Sequence, residues 1–558
     1  MARMYIERVQ KKHKGKTYTS VLLRQSVRIG KKVVSRTICS LTHLPPDLQQ
    51  LIEQYLKEKK GIGGKEVDSS VLGIEERGTK EYGASGVLWA LARELGLDRM
   101  ILSRKERWRE DALGLVVGRV VYQGSKLSLT EVEEDSVLWE LAGHKVGEEV
   151  DVDRSGYEVM DRLLERKEAM EKELARRHLG RGRLVYYDVT SVYMEGEYEG
   201  NRLVQYGYSR DGKRGKKQIL VGLLTNEEGC PVAVDVWEGN RSEGQTVEEM
   251  AERLAGKYGV EEVVFVGDRG MLRAPQREVL RKLGYGVVSA LRHQEVRRLL
   301  EEKVGQLELF GEAFPIEVRG PEGSREWYVV YRNEFLAAEE RTTREGMVKR
   351  AQEGLERISR WKRPRSAEQI GEAVGKVFAK WPVEKFFRWW VEDGRLRYEL
   401  KEEELKEAAR WDGIYGIRTD VDRNRWGPEQ VVKAYRGLGQ VEQAFRQLKT
   451  VSLEIRPVYH RLEQRIRAHV FVCMLAYYLQ WHLWRRLRPL WEEDGKGKNR
   501  RWSWPVVMEQ LRSIRVVGLW REETFLGYKM IRPTPQQQRI LDLAGVSLPP
   551  LQGRLART

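Results

Sequence analysis

Two aspartates and one glutamate stand at positions where an acidic side chain could do chemistry. Asp188 lies within "YYDVT", among aromatic and β-branched residues, and Asp268 directly follows the apolar run "VVFV". Glu442 lies in "AYRGLGQVEQAFRQLKT", residues 434–450. A carboxylate among buried apolar side chains is costly unless it is paired or bound to a cation. Three carboxylates that met at one point would therefore require cations, and oxygen ligands favour Mg²⁺ or Mn²⁺.

Each acid also has an ordinary structural explanation. Asp188 could bond to a turn or an arginine at a strand edge, and "DRG" at Asp268 could be a turn with Arg269 as its ion partner. Glu442 and Arg446 are four residues apart, which is the spacing of a common ion pair on a helix surface. The order of the secondary-structure elements that carry the acids therefore distinguishes between three separate structural roles and one shared cation site.

The stretch around Glu442 has the spacing of one amphipathic helix that begins near Pro428. Its apolar positions recur at i, i+3, i+7 and i+10 and share one face: Leu438, Val441, Phe445 and Leu448. Three basic residues lie off this stripe: Arg436, Arg446 and Lys449. Lys449 follows Glu442 by seven residues, nearly on the same face, and by itself would be read as a solvated lysine.

From residue 183 the chain alternates strand-like and helix-like segments in the order β-β-β-α-β-α-β. Three strands joined by turns come first, and "VVFV" has the composition of a central strand buried on both faces. Ligands of open α/β sheets bind at the carboxyl ends of such strands, where Asp268 lies. A meander with a central Asp, a later strand ending in Asp and then a helix bearing Glu resembles the layout of a ribonuclease-H-like core.

Residues 296–425 interrupt this order and are too many for a loop in a compact domain. They contain strand-like pieces, a charged helix near 338–360 and six tryptophans: Trp327, Trp361, Trp381, Trp389, Trp390 and Trp411. We interpret the span as an inserted, mostly-β domain, and we expect most of its tryptophans to lie in the core.

The flanking segments and the net charge point to a polyanionic partner. The 558 residues carry a net charge of +16, and residues 1–36 hold eleven Lys or Arg and one acid, Glu7. This segment alternates like a small sheet with a turn at Gly30-Lys31, and a folded basic sheet suits DNA or RNA. Residues 59–70 have the composition of a linker, and residues 84–180 are predicted to be mainly helical.

Several classes of protein are excluded by what the sequence lacks. Its three cysteines are far apart and form no CxxC, which excludes a zinc ribbon, a zinc finger and a disulfide framework. No signal peptide and no run of about 18 apolar residues is present, so we expect a cytoplasmic, nucleoid-associated protein with no membrane partner.

Three blocks in order carry a family resemblance. "YYDVTSVYMEG", "VVFVGDRGM" and "AYRGLGQVEQAFRQLK" resemble the catalytic blocks of DDE transposases from bacterial insertion sequences, in the large branch whose core is interrupted by a β-rich domain. Residues 452–479 are similar to the helical segment that follows the Glu in that branch. The resemblance covers most of residues 183–480.

The resemblance implies roles for individual residues. It makes Asp188, Asp268 and Glu442 the catalytic acids and the ligands of Mg²⁺ or Mn²⁺, expected as two ions. The family signature around the Glu runs Tyr, two residues, Arg, three residues, Glu, six residues, Lys. Tyr435 and Lys449 match and are expected to contact DNA phosphates, whereas the arginine position is Leu438. Two other arginines could contact the DNA in its place: Arg436 and Arg446.

The resemblance also implies partners and chemistry. The protein is expected to bind terminal inverted repeats and target DNA as a homodimer, to expose a 3′-hydroxyl by hydrolysis, and to join it to another phosphodiester. Some relatives close the donor end as a hairpin and stack an aromatic residue on a flipped base. Two alternatives remain open on the sequence: a structure-selective nuclease of the same fold, and a non-catalytic DNA-binding regulator derived from a transposase.

The expected fold class is α/β, with a ribonuclease-H-like core, a mostly-β insertion, a basic β-rich N-terminal domain and helical flanks. The expected boundaries are as follows: a DNA-binding region at 1–62, a helical region at 63–180 that could bind DNA ends, the core at 181–295 and 426–485, the insertion at 296–425, and a C-terminal helical region at 486–558 that could support dimerisation.

Overall fold

The structure is a computed structural model that describes residues 3–13, 16–29, 32–42, 44–58, 74–180, 183–208, 215–304, 315–320, 324–448, 453, 455, 458–493 and 501–551. Within these ranges the chain is mixed α/β and forms four sheets. None of the helices in these ranges is long and apolar enough to cross a membrane.

The N-terminal segment forms the small sheet that its alternating pattern predicts. Its three antiparallel strands are adjacent in sequence order: β1 (Arg3–His13), β2 (Lys16–Ile29) and β3 (Lys32–Ser40). The predicted Gly30-Lys31 turn lies outside the described residues. Helix α1 (Pro46–Glu58) follows, and its Leu48 packs in one apolar cluster with Val21 of β2.

A strand and a helical region come next. They are β4 (Glu75–Glu81), α2 (Gly83–Glu94), α3 (Leu97–Ile101), α4 (Arg107–Val121), α5 (Lys126–Thr130), a 3-10 turn (Glu131–Glu133), α6 (Leu138–Leu141), a π-helical segment (Val152–Glu158) and α7 (Val159–His178). Gly96, with φ of 69°, separates α2 from α3. Asp151 caps the π-helical segment that leads into α7 by accepting the backbone N–H groups of Asp153 and Arg154.

The main sheet is built in the predicted order β-β-β-α-β-α-β. Its elements are β5 (Arg183–Tyr193), β6 (Gln218–Asn226), β7 (Pro231–Glu238), α8 (Glu243–Gly256), β8 (Val263–Gly267), α9 (Ala274–Lys282), β9 (Gly286–Ala290) and α10 (His293–Val304). Strands β5, β6 and β7 pair antiparallel, whereas β8 and β9 add in parallel on the other side of β5. All five residues of β8 are buried, as the apolar run predicts.

The interrupting span contains β10 (Ile316–Arg319), β11 (Trp327–Arg332), α11 (Glu334–Ser359), α12 (Ala367–Lys380), a 3-10 turn (Glu384–Phe386), β12 (Phe387–Glu392), β13 (Arg395–Leu400), α13 (Glu402–Arg410) and β14 (Ile414–Thr419). The prediction of a mostly-β composition is wrong for the described residues, because α11 alone has 26 residues and the strands have four to six each.

The span is also less separate than an inserted domain would be. Strands β14, β11 and β10 continue the main sheet beyond β9, giving the order β10-β11-β14-β9-β8-β5-β6-β7. Helices α11 and α12 pack with the β12–β13 hairpin around a separate apolar cluster that includes Leu355, Ile370 and Phe387. Most of the six tryptophans are buried or half-buried, as expected, and Trp390 is 42% exposed.

After the interrupting span, α14 and α15 pack on the main sheet, and the C-terminal elements pack on the helical region that precedes the sheet. Its remaining elements are α14 (Pro428–Arg436), α15 (Gly439–Arg446), α16 (Glu463–Arg486), α17 (Arg488–Glu493), α18 (Trp504–Arg512), β15 (Arg515–Arg521), β16 (Thr524–Met530) and α19 (Pro535–Ala544). The prediction of a single helix through 434–450 is wrong, because α14 ends at Arg436 and a separate helix, α15, begins at Gly439. The C-terminal region is not purely helical either, since the β15–β16 hairpin pairs with β4.

Candidate active site

Asp188 and Asp268 lie side by side on adjacent parallel strands. The register of β5 and β8 places Tyr186 opposite Val266, and each aspartate is two residues beyond that pair. Neighbouring strands are about 4.8 Å apart and side chains alternate between faces, so both aspartates share one face at one level. Asp188 remains inside β5, which continues to pair with β6. Both side chains are half-buried.

The segment after β8 is a turn, and the turn orients Asp268. One carboxylate oxygen of Asp268, Oδ1, accepts the backbone N–H of Arg269 at 2.7 Å. The carbonyl of Asp268 accepts the N–H groups of Met271 and Leu272, each at 3.1 Å. Asp268 can therefore both form this turn and serve as a ligand, because the hydrogen bonds of the turn use Oδ1 and the backbone carbonyl and do not involve Oδ2.

A fourth acid faces the same space, and sequence reasoning missed it. A Cβ atom built on Gly270 would lie 3.8 Å from Oδ2 of Asp268 and 3.8 Å from Oε2 of Glu243. Glu243 is the first residue of α8. In the sequence it looks like an ordinary first-turn acid of a helix, so only the folding of α8 against the β8 turn reveals its position.

Glu442 lies in the first turn of α15 and is exposed. The opposite face of this short helix is buried and packs on β5 and β6 through Val441, Ala444 and Phe445. The predicted apolar stripe is confirmed, since Leu438, Val441, Phe445 and Leu448 are all at most 8% exposed.

Tyr186 fixes the break between α14 and α15. Its hydroxyl donates to the carbonyl of Ala434 at 3.0 Å, so this acceptor is shared with the N–H of Gly437. A Cβ atom at Gly437 would lie 1.9 Å from the Tyr186 hydroxyl, which explains the glycine. Because Tyr186 precedes Asp188 by two residues on β5, both point to the same face, and the α14–α15 junction is held over that face.

Tyr435 links the second and third acids. Burial raises the pKa of its phenol to about 12, and the negative charges of Asp268 and Glu442 both add to the rise. The two carboxylates therefore act on one hydroxyl, which stays protonated and can donate a hydrogen bond at neutral pH. Tyr435, predicted to contact phosphate, is therefore within the electrostatic reach of both acids.

The carboxylates of Asp188, Asp268 and Glu442 are not close enough together to bind one ion as a group. Their carboxylate oxygens do not all lie within 4.8 Å of one another. The donor set nevertheless fits a hard divalent cation in its chemistry, since every ligand is a carboxylate oxygen. The two aspartates also fit in placement, because they are neighbours at the carboxyl end of β8, and Glu442 approaches from α15.

Basic side chains line two clefts near the acids. One cleft of about 340 Å³ is lined by Pro315, Tyr331, Arg332, Glu429, Val432, Lys433 and Arg436. The Arg436 guanidinium lies 5.4 Å from the Tyr331 ring centre, in a cation–π arrangement. A more open cleft of about 480 Å³ beside Asp268 is lined by Arg269, Gly270, Arg292, His293 and Gln294. Anions could enter either cleft.

The remaining predicted DNA contacts are placed as follows. Arg446 is exposed in the last turn of α15, and Lys449 lies outside the described residues. Leu438, at the arginine position of the family signature, is 8% exposed and belongs to the main core. A charged side chain at this buried position would lose its hydration, whereas Lys433 and Arg436 supply positive charge to the neighbouring cleft.

Comparison with protein families identifies the class. Residues 180–479, more than half of the chain, match the profile of the transposase DDE domain, so the chain belongs to this family of transposases. Residues 6–68 match the N-terminal domain of the IS1634 family transposases. No curated protein sequence matches the chain significantly.

The two matches define what the protein does. It is a transposase of the kind found in bacterial insertion sequences, an enzyme that cleaves DNA and transfers strands. Enzymes of this family bind DNA and use divalent metal ions.

Proposed function

We propose that Asp188, Asp268 and Glu442 are the catalytic acids of this transposase, on a ribonuclease-H-like core. The observation that carries the proposal is the shared level of the two aspartates on β5 and β8, with the junction before Glu442 anchored over the same face by Tyr186. The strand order β7-β6-β5-β8-β9, with only β6 antiparallel to its neighbours, supports the assignment of the core.

The three carboxylates would hold two ions, Mg²⁺ or Mn²⁺. When bound, such a pair activates a water or a 3′-hydroxyl and stabilises the leaving oxygen of a phosphodiester. The chain supplies the rest of the chemistry. The protonated phenol of Tyr435 donates to a phosphate oxygen, and Arg436 with Lys433 holds the DNA backbone in the adjoining cleft. Arg446, exposed in the last turn of α15, extends this basic surface beyond Glu442, and Lys449, which follows it in the sequence, is proposed to contact a phosphate as well.

The DNA partners follow from the same reasoning. The basic N-terminal sheet and the helical region after it would bind the terminal inverted repeats, and target DNA would enter at the acids. Paired-end cutting requires two active sites, so we propose a homodimer in the DNA complex, supported by the C-terminal region.

The catalytic assignment is tested by Mg²⁺-dependent cleavage of DNA that carries the end repeats. We expect Asp268→Asn and Glu442→Gln to abolish cleavage while DNA binding in the absence of metal is kept. Glu368→Gln is the matched control, because Glu368 is likewise an exposed first-turn acid, on α12 of the insertion. If either active-site variant cleaves as fast as the parent protein, the assignment fails.

A further inference from the structure

Two histidines and a cysteine, none of them among the proposed catalytic residues, converge at one point. His178 is the last residue of α7, Cys230 precedes β7 in the β6–β7 turn, and His482 lies in the last turns of α16. One ligand atom from each residue lies within 4.8 Å of the other two. Among the described residues, these three form a group of His, Cys, Asp or Glu side chains close enough together to hold a metal ion. Its members are separated by 52 and 252 positions along the chain, so no short sequence motif predicts that they come together.

The side chains around the cluster hold it in a ligating arrangement. The hydroxyl of Tyr478 lies 3.0 Å from Nε2 of His178, and the Tyr478 ring packs edge-on against His482 with ring centres 4.5 Å apart. The Cys230 N–H donates to Oδ1 of Asn226 at 2.9 Å, which fixes the turn. A second layer of hydrogen bonds of this kind orients the ligands in metal sites.

One nitrogen in the cluster is buried without a partner. Nε2 of His482 is inaccessible to solvent and makes no hydrogen bond within the described part of the chain. A buried ring nitrogen normally finds a donor or an acceptor, because leaving it unpaired costs free energy. A bound cation would satisfy this nitrogen, whose lone pair would then coordinate the metal instead of accepting a proton.

The two imidazoles are in the protonation state that a metal requires, whereas the thiol must lose its proton to bind one. Burial lowers the pKa of His482 to about 3 and lowers that of His178, so both imidazoles are neutral and keep a lone pair at neutral pH. Burial raises the pKa of the Cys230 thiol above its ordinary value. The site would therefore be electrically neutral when empty and would release the thiol proton on binding a dication.

Arginines near the cluster are neutralised by acids. Arg485 forms a two-pronged ion pair with Glu228, with one N–O distance of 2.9 Å, and Arg177 donates to Glu173 at 2.7 Å. A third pair joins Arg486 to Glu94. The repulsion that these cations would exert on a dication is thus reduced.

We propose that His178, Cys230 and His482 bind a transition-metal ion of the Zn²⁺ type. One thiolate and two imidazoles are the donor set that such ions prefer, whereas Mg²⁺ prefers oxygen. A water would take the fourth position, since the Tyr478 hydroxyl is engaged with His178. Because its ligands come from α7, the β6–β7 turn and α16, the ion has a structural role and joins the N-terminal helical region to the main sheet.

The same turn reaches the helix that carries Glu442. A Cβ atom built on Gly229, next to Cys230, would lie 3.3 Å from the Cβ atom of Gln440 on α15. An ion at Cys230 would therefore stiffen the support beneath the start of α15. This effect is separate from the chemistry of the acids and is tested separately.

The test uses Co²⁺ as a spectroscopic probe on the full chain after treatment with a chelator. We expect one Co²⁺ per chain, with a thiolate-to-cobalt charge-transfer band and the visible bands of a tetrahedral ion. Zn²⁺ should displace it and excess Mg²⁺ should not. The affinity should rise about tenfold per pH unit, since one thiol proton is released.

Substitutions locate the site. Cys230→Ser should remove the charge-transfer band, and His482→Asn, with its fold checked by circular dichroism, should weaken Co²⁺ binding at least tenfold. Cys473→Ser is the matched control, because Cys473 is equally buried, and it should leave the band intact. Asp188→Asn should also leave it intact, which separates this site from the proposed catalytic acids.

Two outcomes would overturn the proposal. In one, the parent protein binds no stoichiometric Co²⁺ or binds it without a thiolate band. In the other, the band persists in Cys230→Ser and disappears in Cys473→Ser or Cys39→Ser, which would place the ligand at another cysteine.

Discussion

Tyr435 is a neutral donor on which the charges of two proposed catalytic acids both act. Asp268 and Glu442 are negative, and both raise the pKa of this phenol. A phosphate entering between them would meet repulsion from the carboxylates, and bound cations together with a donated hydrogen bond would offset it. The hydroxyl, rather than the ring, is thus the part of Tyr435 that serves the reaction.

Tyr435→Phe tests this role, because it keeps the packed ring and removes only the hydroxyl. We expect the cleavage rate at saturating Mg²⁺ to fall about tenfold, the value of one hydrogen bond to a charged group. Since the pKa of Tyr435 is about 12, the pH profile of the parent enzyme should show no ionisation of this residue below about pH 10. An unchanged rate in the variant would contradict the role.

Glu243 adds a fourth negative charge beside Asp268, and its removal should weaken the attraction for cations. We expect Glu243→Gln to raise the Mg²⁺ concentration for half-maximal cleavage about threefold, from the Coulomb energy of one unit charge several ångströms away in water. The rate at saturating Mg²⁺ should be kept. Glu252→Gln, on the exposed side of the same helix, is the control. A loss of rate that high Mg²⁺ does not restore would show a different role.

The sequence could name some of these residues and not others, for physical reasons. Asp188 and Asp268 could be selected as candidates because a carboxylate within or beside an apolar strand is costly unless it is paired or bound to a cation. Glu243 and Tyr186 could not be, since a first-turn glutamate and a strand tyrosine are ordinary in their local context. Their roles depend on which segments meet in space.

At the scale of elements, the junction between α14 and α15 determines where Glu442 is held. A Cβ atom at Gly437 would lie 1.9 Å from the hydroxyl of Tyr186 and 2.5 Å from its Cζ atom. We expect Gly437→Ala to lower the free energy of unfolding by about 1–3 kcal/mol, as overpacking does, and to reduce cleavage by displacing α15. Chemical denaturation and a cleavage assay measure the two effects.

A matched control lies two residues further along the chain. A Cβ atom at Gly439 would meet no atom within 4 Å, so Gly439→Ala should leave stability unchanged or slightly raised, since alanine favours a helix. Tyr186→Phe combined with Gly437→Ala should recover part of the stability that Gly437→Ala removes. If both glycine variants behave alike, the close approach to Tyr186 does not set the junction.

Periodicity predicted the elements well where each one is specified by its own residues. The strands β5 to β9 and the start of α14 at Pro428 follow from local composition. The break after Arg436 does not, because the apolar stripe continues through it and the hydroxyl that approaches the Ala434 carbonyl comes from Tyr186, on another element. Likewise, the β15–β16 hairpin forms a sheet with β4, more than 400 residues away, and no local pattern indicates such a partner.

At the scale of the whole molecule, the N-terminal region packs against the C-terminal hairpin. Leu519 and Leu526 of the C-terminal hairpin pack in one cluster with Val21, Leu44 and Leu48 of the N-terminal region, and Arg521 pairs with Asp47 at 2.5 Å. The basic sheet is therefore attached to the body of the protein rather than hanging from a linker. A DNA end bound there would be held in a defined direction relative to the main sheet.

The salt dependence of DNA binding tests whether this sheet binds phosphates. Each phosphate that a variant no longer neutralises should reduce the slope of log K against log salt by about 0.9 for duplex DNA. We expect Lys11→Gln with Lys12→Gln, at the end of β1, to reduce the slope by up to about 1.8. Arg8 and Arg24 pair with Glu53 and Glu7, each at 2.6 Å, so replacing both arginines should reduce the slope by less than the roughly 0.9 per charge that applies to a phosphate contact. If the lysine pair leaves the slope unchanged, the net charge of +16 acts on DNA elsewhere on the molecule.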